Sequence, residues 1–243
     1  MYHSIIFGDK NTWADWYLIP SSRPVFNPPN PKTKYIDIPG SDWHIDMSEV
    51  LTGDIAYEAR TGSLEFIVDN GQLSNYKADF WIDLYSEIMN YMHGRILQAT
   101  LEDEPAYYYE GRFSVNSWKS DAHNSKITID YTVSPYKYEK FSSLEDWEWD
   151  IFNFETGIIR EYKDLRVDGS LPFMIVGRRM SVVPTFIVKS DDGNGFKVKF
   201  NGSTYDLPDG TRRIVNIRTT EGENMLTFIG NGTVSIEYRG GKL

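Results

Sequence analysis

Apolar and polar residues alternate at period two through most of the chain, and one stretch switches to a helical period. Phe80, Leu84, Ile88 and Met92 recur every four residues, which predicts a helix over 79–93 with Asp79 as N-cap and Gly94 as its C′ stop. Around it the first half predicts strands at 2–8, 56–60, 64–68, 96–101, 107–115 and 127–133. Beyond residue 141 short strands come at even spacing, at 173–176, 185–188, 196–200, 204–207, 213–217, 225–229 and 234–238. The pairs Asn201-Gly202, Asp209-Gly210 and Asn231-Gly232 fall between them and are hairpin-turn pairs whose left-handed φ matches strand twist. Short strands with these turns predict an antiparallel β-sandwich.

Proline breaks the pattern once. Six of the eleven prolines lie between Pro20 and Pro39. Each fixes φ and removes an amide donor, so 20–39 cannot be a central strand or a helix and should run as an extended arm over a surface. Pro39-Gly40 at its end is a type II turn candidate. Composition then divides the chain: 13 of the 16 Tyr precede residue 141, while 12 of the 19 Gly lie from Gly157 onward. The division predicts two domains, 1–141 and 142–243, joined at an acidic aromatic stretch, 145–150; the competing reading is one β-domain with an uneven surface.

Charge and cysteine exclude more than they identify. Residues 1–140 carry 12 basic and 20 acidic side chains and residues 141–243 carry 13 and 15, so the formal net charge of −10 rests mostly on the first half. Duplex DNA and anionic membranes both reward clustered Lys and Arg, so sequence-specific nucleic-acid binding and membrane insertion are not expected. The chain has no cysteine, hence no disulfide, thiol nucleophile or iron–sulfur ligation. No apolar run approaches the roughly 20 residues that cross a bilayer, and the N-terminus lacks a secretory apolar stretch, so a soluble protein without a leader is expected.

Catalytic chemistry finds no foothold. His3, His44, His93 and His123 form no ligand pair at helical or turn spacing. The stretch 191–195 looks like a calcium loop, but Gly202 stands where its bidentate Glu belongs, so a turn is the better reading. The acids at 102–104, and Asp42, Asp46 and Glu49, could suggest a glycosidase pair, yet a solvated face is the default where acids are this common. No catalytic residue, metal site or cofactor is therefore expected. Trp147 and Trp149, two apart and thus on one side of an extended segment, are candidates for stacking on a sugar, although stapling the linker to either domain is the better reading.

The order of several motifs then becomes informative. Ile5-Ile-Phe-Gly8, Thr12-Trp13 and Trp16-Tyr-Leu18 precede the proline arm. Ile38-Pro39-Gly40 with Asp42 follows, then Asp46 through Gly53 and Tyr57-Glu-Ala-Arg60. The helix closing on Gly94, Tyr107-Tyr-Tyr-Glu-Gly111-Arg112 and Pro135-Tyr-Lys-Tyr138 complete the series. This order resembles the distal tail protein of long, non-contractile-tailed bacteriophages, over residues 1–140 and again over 234–243 with its Tyr238-Arg-Gly-Gly. The series departs from the family pattern at Trp43, where related chains often carry Gly, so the turn geometry there is open.

The resemblance implies a mainly β protein: an N-terminal β-sandwich or barrel-like domain with one covering α-helix, and a C-terminal galectin-like antiparallel β-sandwich. It implies a non-enzymatic homo-hexameric ring at the distal end of the phage tail, assembled in the host cytoplasm. Its partners would be the tail-tube protein, the tail-tip protein and, through an outward second domain, a receptor-binding protein. DNA would pass a channel whose acidic wall repels it. Pro39, Gly40, Asp42, Gly53, Arg60, Gly94, Gly111 and Arg112 carry the motif. A carbohydrate-binding protein contacting host cell-wall polysaccharide through Trp147 and Trp149 is the alternative.

Overall fold

In a computed structural model the chain is described at residues 3–51, 53–68, 79–120, 125–146 and 157–243, with the side chains of 79, 80 and 120 left out. It divides into two compact units, Met1–Lys137 and Tyr138–Leu243, both mainly β. No helix among the described residues is long and apolar enough to cross a membrane.

The first unit holds β1 (Ile5–Phe7), β2 (Lys10–Asn11), β3 (Leu18–Pro20), β4 (Tyr35–Asp37), β5 (His44–Asp46) and β6 (Arg60–Val68). Helix α1 (Asp79–Met92) follows, then β7 (Arg95–Leu101), β8 (Tyr107–Ser120) and β9 (Ser125–Val133). The main sheet runs β2-β1-β7-β8-β9-β6-β3, antiparallel throughout. Its two margins meet. Leu18 of β3 donates its N–H to the Thr12 carbonyl just past β2 at 2.8 Å, and Thr12 donates to the Ile5 carbonyl at 2.9 Å. The sheet therefore curls toward a barrel, with β3 bonded back to the residue that follows β2.

Period-two alternation fills the interior. In β9, Ile127, Ile129, Tyr131 and Val133 are buried at every second position. Leu84, Ile88 and Met92 of α1, with Trp81, close the same core over Phe7, Phe66 and Phe113. Each such side chain contributes about 1.5–3 kcal/mol on burial. The helix stops as expected at Gly94, which takes φ 73°.

The proline arm is neither a central strand nor a helix. It touches the rest of the chain through an isolated bridge, Pro31 to Tyr57, and through Phe26, which is buried against Tyr109 (ring centroids 4.1 Å) and Tyr131 (4.8 Å). The predicted strands 56–60 and 64–68 are not separate: β6 runs continuously from Arg60 to Val68, and Ala56 and Glu58 instead bond to the arm. Gly62 permits this, since a Cβ there would lie 2.5 Å from the Tyr131 hydroxyl.

β10 (Lys137–Glu139) lies across the division, and the second unit continues with β11 (Leu165–Gly177), β12 (Thr185–Ser190), β13 (Phe196–Phe200), β14 (Ser203–Leu207), β15 (Gly210–Arg213), β16 (Gly222–Glu237) and β17 (Gly241–Lys242). A sheet runs β14-β13-β16-β12-β15, with β11 along the other side of β16, and β10 pairs with β17. Asn201 (φ 47°) and Gly202 (φ 79°) form the predicted two-residue turn between β13 and β14.

Four expectations are corrected here. Asp209-Gly210 closes no hairpin, since β14 pairs with β13 and β15 with β12. Asn231-Gly232 is no hairpin: 225–229 and 234–238 belong to one strand, β16, whose first half pairs with β13 and whose second half pairs with β12. Asn231 spends its polar groups on neighbours instead, its side-chain oxygen accepting from Gly169 N–H and its carbonyl from Asp191 N–H, both at 2.9 Å. The strand predicted at 173–176 extends from Leu165 to Gly177, because β11 pairs with β16 and with no other described strand, and an edge tolerates Pro172. The strand predicted at 213–217 lies earlier, at Gly210–Arg213; Ile217 reaches the core through a turn, its N–H bonding the Ile214 carbonyl at 3.0 Å.

Candidate functional site

The motif residues gather in three places. Pro39, Gly40 and Asp42 belong to the ribbon formed by β4 and β5, and Gly53 follows it; the two strands pair with each other and with no other described strand. Ser41 N–H donates to the Ile38 carbonyl at 3.1 Å with Gly40 at φ 79°, the geometry of a type II turn. Trp43 does not disturb it; its N–H bonds the Ser41 hydroxyl at 3.1 Å and its ring is 79% exposed. Ser48 ties the far end, accepting from Lys34 N–H at 3.0 Å and donating to Asp46, whose carboxyl is held below its ordinary range chiefly by that bond. Gly53, at φ 67°, closes the following turn by donating to the Glu49 carbonyl at 2.7 Å.

The ribbon is amphipathic and its apolar side is bare. Ile36 and Ile45 are register partners on one face, and Ile38 and Trp43, two residues along from them, continue it. All four are exposed, as are Val50 and Leu51 beyond β5. The opposite face carries Tyr35, Asp37, His44 and Asp46.

Arg60 sits in the second place, 5% exposed, as a clamp on the arm. Its Nε donates to the Pro135 carbonyl at 2.8 Å and its Nη1 to those of Asn27 (3.0 Å) and Phe26 (3.5 Å), beneath the Tyr109 ring. Burial pulls its pKa down. In the third place, Arg112 Nη1 donates to the Gly94 carbonyl, while Gly94 N–H donates to Phe113 at 2.8 Å. Gly111 beside them lets β8 and β9 close up, since a Cβ there would lie 2.2 Å from the Thr132 carbonyl oxygen.

None of these sets converges on a reacting atom, and no group of three His, Asp or Glu side chains that could hold a metal occurs among the described residues. The acids at 102–104 are partnered separately rather than forming a solvated face. Glu102 accepts from Ser4 N–H (2.7 Å), Asp103 lies 2.9 Å from His3 Nδ1 and 2.8 Å from Arg23 Nε, and Glu104 takes Lys137 (2.7 Å). The His3 hydrogen bond, with Arg23 adding to it, holds the Asp103 carboxyl below its ordinary range. Asp192 of the calcium-like loop caps Asn194 instead, as expected of a turn. Trp147 and Trp149 lie outside the described residues.

Sequence reading missed the role of Glu139. Its carboxylate takes Arg160 (2.5 Å), Arg178 (2.9 Å) and Gly240 N–H (3.0 Å), and Arg160 lies over the Tyr238 ring at 4.8 Å. The closing Tyr238-Arg-Gly-Gly is thus the floor for this acid; a Cβ on Gly240 would lie 2.6 Å from it. Glu139 stands about 100 positions from that motif, so no local pattern links them.

No family model and no curated protein matches the chain. Among solved structures, its fold is similar to that of SPP1 Dit (gp 19.1), described as a paradigm of the hub adsorption apparatus in phages infecting Gram-positive bacteria. The TM-score is 0.61 at 13% identity, and the match covers 98% of this chain and 99% of that one. The two proteins share a fold from end to end.

Proposed function

We propose that this chain is a non-enzymatic structural subunit of a phage tail tip. Copies of the first unit close a hexameric ring that joins the tail tube to the tail-tip protein at the distal end of the virion, assembled in the host cytoplasm. DNA passes its central channel, and the second unit points outward as an anchor for receptor-binding proteins. The end-to-end fold likeness to a phage hub protein motivates the role.

The observation that carries the ring is the bare apolar face of the β4–β5 ribbon, Ile36, Ile38, Trp43 and Ile45. A two-stranded ribbon is marginal alone in water, and exposed apolar patches mark contact surfaces. A second copy is the fitting occupant, because cyclic closure gives every ribbon an identical neighbour and leaves none unpaired. The acidic balance of the first half suits a wall along which DNA slides rather than sticks.

Sedimentation of the purified chain, alone and with its co-expressed tail-tip neighbour, together with electron microscopy of intact tails, tests this. Six-fold annuli containing the chain are expected. A chain monomeric under both conditions and missing from the tail end overturns the reading.

A further inference from the structure

Strand β15 is an open edge of the second unit's sheet with an unusual charge. Among the described strands it pairs with β12 alone, and all four of its residues are exposed. In an antiparallel edge strand, alternate residues turn N–H and C=O away from their neighbour, a ready template for another strand. The register places Arg212 opposite Phe186, which is fully buried, and Arg213 opposite Thr185. Successive residues point to opposite faces, so the two guanidinium groups straddle the edge, one on each side of the sheet.

These arginines differ from four others of the unit. Arg160, Arg166, Arg178 and Arg239 each pair with a carboxylate. Arg212 donates to its own neighbour's carbonyl, Thr211 (3.1 Å), and neither it nor Arg213 or Arg218 has a carboxylate partner among the described residues. Two exposed apolar side chains flank the edge: Ile187, the register partner of Thr211, and Val215, 69% exposed. Arginine beside exposed aliphatic surface is the composition of protein contact sites, and guanidinium groups bind carboxylates bidentately.

We infer that β15 is a docking edge for an acidic, extended polypeptide segment of another virion protein, which adds to the sheet as a further strand. Backbone bonds hold such a strand, and side-chain pairs across the edge choose it. The straddling arginines specify two successive carboxylates, one for each face. The inference deepens the anchoring role of the second unit and rests on that reading for the source of the partner.

The test uses the full chain and a blocked ten-residue peptide of alternating Thr and Val around a central Asp-Glu pair, with Asn-Gln in that place as control. Fluorescence anisotropy is expected to show at least tenfold tighter binding of the acidic peptide, and Arg212→Glu/Arg213→Glu to remove that preference. Hydrogen exchange at the amides of 210–213 is expected to slow on binding. Equal affinity for the two peptides, no binding of either, unchanged exchange at β15, or indifference to the charge reversal each overturns the inference. So does polyphosphate binding as tightly without protecting those amides, which would mark a general polyanion surface. Sedimentation on the same samples reports the ring separately: a monomer that binds the peptide sinks the ring and leaves the edge standing, and a ring that ignores it does the reverse.

Discussion

Gly169 of β11 and Gly230 of β16 are register partners, and both take positive φ, 72° and 146°. Two residues further, Gly232 (φ 141°) faces Val167 and packs on the backbone of Lys189 and Ser190. The two long strands therefore bend together. One half of β16 carries Leu226 and Phe228 and the other Val234 and Ile236, and all four enter a single core. A strand shared in this way makes one curled sheet enclose what two separate sheets would otherwise sandwich.

Replacing Gly232 with alanine sets its Cβ 2.3 Å from the Lys189 carbonyl oxygen and imposes an unfavourable φ. The expected cost is about 2–4 kcal/mol, from overpacking and backbone strain together. Gly193→Ala is the control: φ is also positive, at 75°, but nothing lies within 4 Å, so about 1 kcal/mol is expected. Urea unfolding followed through the second unit compares them. Equal losses would mean that the close approach to Lys189 is not what the bend requires.

Arg60→Met keeps a long side chain but removes the bonds to Pro135, Asn27 and Phe26. Leaving those carbonyls unpaired should cost about 1–3 kcal/mol. Arg60→Lys should rescue little, because a point ammonium cannot reproduce the fork. Faster proteolysis within the arm at 22–34 is the specific readout. Unchanged cleavage there, with or without a loss of global stability, would show that Arg60 does not hold the arm.

How much was legible in the residues depended on how local the cause was. The stripe of α1, the proline arm and the Asn201-Gly202 hairpin are written within a few positions, and the structure has them. The Asn231-Gly232 pair reads identically to that hairpin, yet its neighbours at Gly169 and Lys189 turn it into a bend. Pro172 hid the length of β11 because whether a strand lies at an edge is a property of the sheet, not of its own residues. Among the motif residues, their presence was readable but their grouping was not. Arg112 meets Gly94 and Arg60 meets Asn27 only after folding, and the acids at 102–104 find partners near residues 3, 23 and 137.

Asp103 should make the first unit sensitive to acid. Its pKa is lowered in the folded state, so between the folded and unfolded values the unfolded chain binds more protons. The contribution is complete above the ordinary value of 3.8 and is lost as pH falls through the folded value. Carboxyl-carbon NMR titration should find Asp103 below that ordinary value in the native chain, and closer to it in His3→Gln and Arg23→Ala. A midpoint that the two substitutions do not move would remove His3 and Arg23 as its cause.

Trp43→Glu separates assembly from folding. Trp43 is 79% exposed and lies on a ribbon that pairs with no other described strand, so the substitution should alter stability by no more than about 0.5 kcal/mol. Its effect should fall on the contact between copies, where a carboxylate would be buried against apolar surface without a partner. Sedimentation is expected to show loss of the oligomer at concentrations where the parent chain assembles, with an unchanged thermal unfolding midpoint. Ile36→Asp on the same face should behave alike, whereas Asp37→Asn on the opposite face should leave assembly intact. A Trp43→Glu chain that still closes rings would show that the contact between copies does not use this face.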